Sequence, residues 1–126
     1  MSEWRVIRHA ESGEVVLARA KWCASFWCKF RGLQFVRHLP DDEGLLFVHN
    51  SESRTGTAIH MFFMWFPIGV IWLDAQGIVV DKVLAKPWRP AYTPRAAAQY
   101  FIEATPSILE RVAIGDRLLF DEAVQV

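Results

Sequence analysis

Five side chains stand out in this chain because each has polar or aromatic chemistry to offer among largely apolar or loop-forming neighbours: Arg31, His60, Trp88, Arg89 and Glu103. His60 heads the apolar run IHMFFMWFPIGVIWLD, from Ile59 to Asp74. An imidazole that titrates near neutrality suits a general acid or base, or a donor facing a ligand. The same ring is equally at home as a structural histidine hydrogen-bonded to its neighbours. Glu103, between Ile102 and Ala104, is the natural partner for an arginine or for His60, as a structural ion pair or as an acid. The stretch KPWRPAYTPR, residues 86 to 95, is the second candidate. Trp88 and Tyr92 offer flat faces to a sugar or aromatic ring, and Lys86, Arg89 and Arg95 can hold a carboxylate or phosphate through charge-assisted hydrogen bonds. Its structural alternative is a crossing loop whose tryptophan caps the core and whose arginines pair with acids.

Other chemistries lack their residues. His9, His38, His49 and His60 are scattered with no ligand spacing, so no metal site is expected, and no cofactor motif is present. Neither a glycine-rich phosphate loop nor a GxSxG elbow occurs, and no catalytic residue is assigned. With 14 Lys plus Arg against 14 Asp plus Glu, no overall field attracts nucleic acid, although a local basic patch stays open. The apolar run is fifteen residues from Ile59 to Leu73 and is broken at Pro67 and Gly69. A spanning helix needs about 20 residues, so no membrane partner is expected. The N-terminal residues show no apolar signal region, which places the protein in the cytoplasm. Cys23 and Cys28 would point about 140° apart on one helix and match no zinc spacing, so free, partly buried thiols are expected.

The elements that must position these groups follow from periodicity. The 126 residues fit one domain, long enough to bury a sizeable core. Trp4–Arg8 and Glu14–Ala18 read as strands. Cys23, Phe26, Trp27 and Phe30 recur at helical spacing, predicting one substantial helix over about 22–31 with its aromatic stripe in the core and Gly32 as its left-handed stop. Leu45–His49 resumes as a strand, and residues 50 to 57 form a polar loop. The apolar run then supplies two strands, Ile59–Phe66 and Gly69–Asp74, split at Pro67. Val70 to Leu73 are apolar in succession, which predicts a central strand covered on both faces. A turn at 74–77 returns the chain as Ile78–Leu84; Tyr100–Glu103 and Arg117–Phe120 are further strands, with a short helical piece from Pro106 to Arg111. The fold class is mainly β (β-rich α+β), a sandwich or barrel with helical decoration.

The order FRGLQF (30–35), GLLFVHN (44–50), IHMFFMWFPIGVIWLD (59–74), IVVDKVLAKPWRP (78–90) and YFIEATPSILERVAIGDRL (100–118) resembles domain-of-unknown-function family 192 over about residues 15 to 120. The resemblance implies a compact β-rich fold of jelly-roll-like topology and supplies no activity. Three positions depart from the family pattern: Gln34 stands for a usual Met, Gly69 for a usual Asp, and Ser107 for a usual Gly. An enzyme using that Asp would lack it here. The residues together favour a binding module for a small anionic or carbohydrate-like ligand, lined by Arg31, His60, Trp88, Arg89 and Glu103. The alternatives are an enzyme with His60 as acid or base, and an interaction protein with exposed tryptophans as an oligomer face.

Overall fold

In the computed structural model, which describes residues 3–34 and 36–122, seven strands form one sheet in the order β5-β4-β6-β3-β2-β1-β7. The strands are β1 (Trp4–His9), β2 (Val15–Cys23), β3 (Glu43–Ser53), β4 (Ile68–Leu73), β5 (Val79–Ala85), β6 (Ala98–Ala104) and β7 (Leu118–Glu122). Every pairing is antiparallel except β2 with β3, which runs parallel. A six-residue helix α1 (Phe26–Arg31) and a 3₁₀ turn η1 (Pro106–Glu110) complete the elements. The sheet curls until its two edges meet at one end. There Val79 N–H donates to Asp116 O at 2.8 Å, Gly115 N–H to Val79 O at 2.8 Å and Leu118 N–H to Gly77 O at 2.9 Å.

Pleating sends alternate residues to two cores. One, inside the curl, gathers Ile7, Leu17, Leu46, Ile71, Leu73 and Ile102, closed by Ile108 of η1. The other lies on the opposite face and gathers Phe47, Val70, Trp72 and Phe101 under Ile59, Met61 and Met64. All six residues of β4 are buried, as expected for a strand covered on both sides, but β4 is the second strand of the sheet rather than a central one, with β5 at the edge beside it. The β4–β5 hairpin turns on Asp74, whose Oδ1 accepts from Gln76 N–H at 2.9 Å and Ile78 N–H at 3.0 Å.

Several expectations are corrected. The helix is shorter than 22–31, because Trp22 and Cys23 finish β2 and Ser25 caps the helix by accepting from Cys28 N–H at 3.2 Å. Its aromatic stripe is not core: Phe26, Trp27 and Phe30 are 71%, 74% and 65% exposed. Cys23 and Cys28 are not free thiols but a disulfide, since the helical angle between them does not apply once Cys23 belongs to a strand. Ile59–Phe66 is not a strand. Ile59 makes a single bridge to Tyr92, Phe63 has φ 62°, and the segment folds over the sheet as a cover. The mainly β fold class holds, and of its two alternatives the sheet takes the barrel-like one, a single curled seven-stranded sheet; Phe35 of the FRGLQF motif lies outside the described residues.

Candidate functional site

The cover and the helix leave a gap between them over the second core. α1 ends at Gly32, φ 51°, whose N–H donates to Cys28 O at 2.8 Å. A side chain at 32 would meet Phe47 Cζ at 3.5 Å and Glu103 Oε1 at 3.7 Å, so the glycine that stops the helix also opens the gap. Across it, the cover is tied to the 86–95 loop by Met61 N–H to Arg89 O at 2.8 Å and Trp88 N–H to Met61 O at 2.7 Å. The result is a cavity of about 90 Å³ with Glu103 at its floor. Phe47, Phe101, Met61 and Met64 wall it, and Lys29, Arg31 and His60 stand at its rim. Phe47 and Phe101 are register partners on β3 and β6, with rings stacked at 4.3 Å.

Glu103 is the anomalous group. It sits mid-sheet between Leu45 of β3 and Val70 of β4, 6% exposed. Its carboxyl makes no hydrogen bond or ion pair with any described residue. Burial pushes its pKa up to about 8, because the low-dielectric wall disfavours the charged form. At neutral pH it is mainly a carboxylic acid that can both donate and accept a hydrogen bond. The cations nearest the cavity, Arg31 and Lys29, stay at the rim, and Arg31 is exposed.

Of the five residues singled out from sequence, the cavity brings together Arg31, His60 and Glu103. His60 is exposed, and its Nδ1 accepts from Phe62 N–H at 3.2 Å; it pairs with no carboxylate among the described residues. Trp88 and Arg89 lie outside the lining. The Trp88 ring meets Phe63 at 5.3 Å and Trp65 at 6.1 Å, while Arg89 contributes its backbone carbonyl and leaves its side chain exposed. Within the same loop Arg95 Nε pairs with Asp81 Oδ1 at 3.2 Å, as the structural alternative for this loop has it, but Tyr92 rather than the exposed Trp88 packs against the core. Lys29, Phe47, Phe101, Met61 and Met64 were missed from sequence. The cross-strand register that makes Phe47 and Phe101 one wall has no local signal, whereas Lys29, two residues before Arg31 in a short helix, was readable.

Residues 7–120 match the DUF192 family model, described as an uncharacterized ACR. The chain belongs to the DUF192 family. Among its DUF192 relatives, a UPF0127 protein of Thermococcus kodakarensis is 38% identical over 88% of this chain and 69% of its own length. A UPF0127 protein of Pyrococcus furiosus is 33% identical over 89% of this chain and 95% of its own. The fold recurs in a Sinorhizobium meliloti protein, described provisionally as a transcription regulator, with TM-score 0.80, 21% identity and coverage of 95% and 94% of the two chains. A protein of unknown function from Novosphingobium aromaticivorans superposes with TM-score 0.72 at 16% identity, covering 92% and 83%. At these identities the two structures speak for the DUF192 fold alone.

Two DUF192-pattern departures acquire reasons. A Cβ on buried Gly69 would lie 2.7 Å from Ile108 Cγ2 and 3.1 Å from Thr105 O, so the glycine lets η1 seat on β4. Ser107 joins a network on Asp41: Ser107 and Thr105 hydroxyls donate to Asp41 Oδ1, and Arg111 reaches Asp41 Oδ2 at 3.0 Å. Those hydroxyls, then Arg111, hold the Asp41 pKa below its ordinary value. Gln34 lines the cavity, its Nε2 donating to Phe30 O at 2.9 Å.

Proposed function

We propose that this DUF192 protein is a binding module whose ligand is a small hydroxylated anion, such as a hydroxy acid or sugar acid. The observation that carries it is the Glu103 carboxyl, on a buried residue and without a hydrogen-bond partner among the described residues, lining a cavity. Because the carboxyl lines that cavity, a hydroxyl entering it would both donate to and accept from Glu103. The cavity's 90 Å³ is smaller than the roughly 150 Å³ that holds benzene, so only a terminal group enters. That group, a hydroxyl, exchanges hydrogen bonds with Glu103, and the anionic end stays at the rim with Arg31 and Lys29. His60 is a rim donor or acceptor in this reading. Trp88 and Arg89 act indirectly by fixing Met61.

A thermal-shift panel of small hydroxy acids, sugar acids and neutral sugars tests this. At least one hydroxylated anion should raise the melting temperature, and the rise should vanish in both Arg31→Ala and Glu103→Leu. A panel with no stabiliser would defeat it, as would a stabiliser indifferent to both substitutions. Cytoplasmic residence is a separate proposal, and the Cys23–Cys28 disulfide weighs against it, because such bonds are rare in reducing compartments.

A further inference from the structure

We propose that the aromatic face around the cavity mouth docks on an anionic lipid surface. Two exposed aromatic groups flank that mouth. Phe26, Trp27 and Phe30 project from α1, a helix with no buried residue, and their rings lie 5.4 to 6.4 Å apart. On the other side Phe63, Trp65 and Trp88 are 44%, 56% and 48% exposed. The segments that carry the two groups adjoin one cavity, since Lys29 and Arg31 of α1 and Met61 and Met64 of the cover line it. A water-soluble surface does not ordinarily gather this many large rings without a partner.

Two of the rings are held out at a backbone cost. Phe63 and Trp88 have φ of 62° and 66°, the left-handed region that costs an ordinary residue roughly 1–2 kcal/mol. Such strain collects where function requires it.

Charge names the partner. The segments 15–40, 53–73 and 82–102, which carry all these aromatics, contain no Asp or Glu, although the whole chain is balanced at 14 against 14. They carry Lys29, Arg31, Arg37, Lys86 and Arg89, none ion-paired among the described residues, and Arg37 stands beside Trp65. The acid nearest the mouth, Glu103, is buried at its floor. Exposed aromatic rings beside unpaired cations are the composition that settles at the headgroup level of an anionic bilayer. A second copy of the chain would bring like charges together. A nucleic acid is less favoured, because the helix rings protrude from a convex element rather than line a groove.

Co-sedimentation with vesicles of phosphatidylcholine and phosphatidylglycerol, against phosphatidylcholine alone, tests this at low and high salt. The protein should pellet with the anionic vesicles, more weakly as salt rises. Trp27→Ala with Trp65→Ala, one ring from each group, should weaken binding by about tenfold or more, with an unchanged circular-dichroism melt showing that the variant folds. Lys29→Ala with Arg89→Ala should weaken binding to the anionic vesicles. Absence of pelleting with either vesicle overturns the proposal, and so does an aromatic variant that binds as the parent does. Binding of a single-stranded oligonucleotide without vesicle binding, or self-association abolished by the aromatic substitutions without vesicle binding, also overturns it. The small-ligand proposal plays no part in this test.

Discussion

Glu103 concentrates what a single residue can say here. Its carboxyl moves from an ordinary value of 4.5 to about 8 through burial, so the folded protein holds a proton that the unfolded chain releases. Proton uptake on folding makes stability fall as pH rises, starting near 4.5 and continuing through about 8. The deficit against an uncharged carboxyl is on the order of 3 kcal/mol at neutral pH. Glu103→Gln should therefore flatten the pH dependence of denaturant unfolding between pH 5 and 8 and stabilise the protein at the upper end, by a few kcal/mol. A Gln variant whose stability follows the parent's at every pH would place the carboxyl in a polar environment instead. Glu103 and Arg31 were legible in sequence because a charge inside or beside an apolar motif needs a reason. That Glu103 has no partner among the described residues was not legible, since it depends on what β3 and β4 place at either side.

At the level of elements, legibility followed the backbone. The β4–β5 hairpin, the crossing loop at 86–95 and the η1 turn stood out because their turn residues act locally. The helix was overextended because Trp22 and Cys23 suit both a strand end and an apolar stripe, while Ser25, a good N-cap residue, marked its true start. Ile59–Phe66 misled more deeply. Its aromatic composition favours a strand, yet its task is to cover one, which only the tertiary structure assigns. Gly69 is where two elements meet, and its prediction belongs here. Gly69→Ala forces a methyl against Ile108 and should cost about 1–3 kcal/mol in urea unfolding. Gly69→Asp should cost more, because a charge is buried as well. An Asp variant as stable as the parent would mean that η1 lifts from β4 without penalty.

For the whole molecule, a curled sheet with two cores leaves one end closed by its own edge strands and one face bearing a small cavity framed by aromatic rings and cations. The Cys23–Cys28 disulfide joins the end of β2 to α1, the element that supplies Lys29 and Arg31 to the rim. Thiol alkylation of the purified, unreduced protein should leave both cysteines unlabelled until reductant is added; labelling of both without reductant would restore the free thiols expected from sequence. The most direct test of the ligand site uses its own walls. Of the three methionines, Met61 and Met64 line the cavity, so methyl-¹³C-methionine spectra read its occupancy. During titration with small hydroxy acids and sugar acids, the Met61 and Met64 signals should shift saturably in the parent and stay still in Glu103→Leu. Signals that never shift saturably with any of these compounds, or that shift equally in the Leu variant, would contradict a ligand site floored by Glu103.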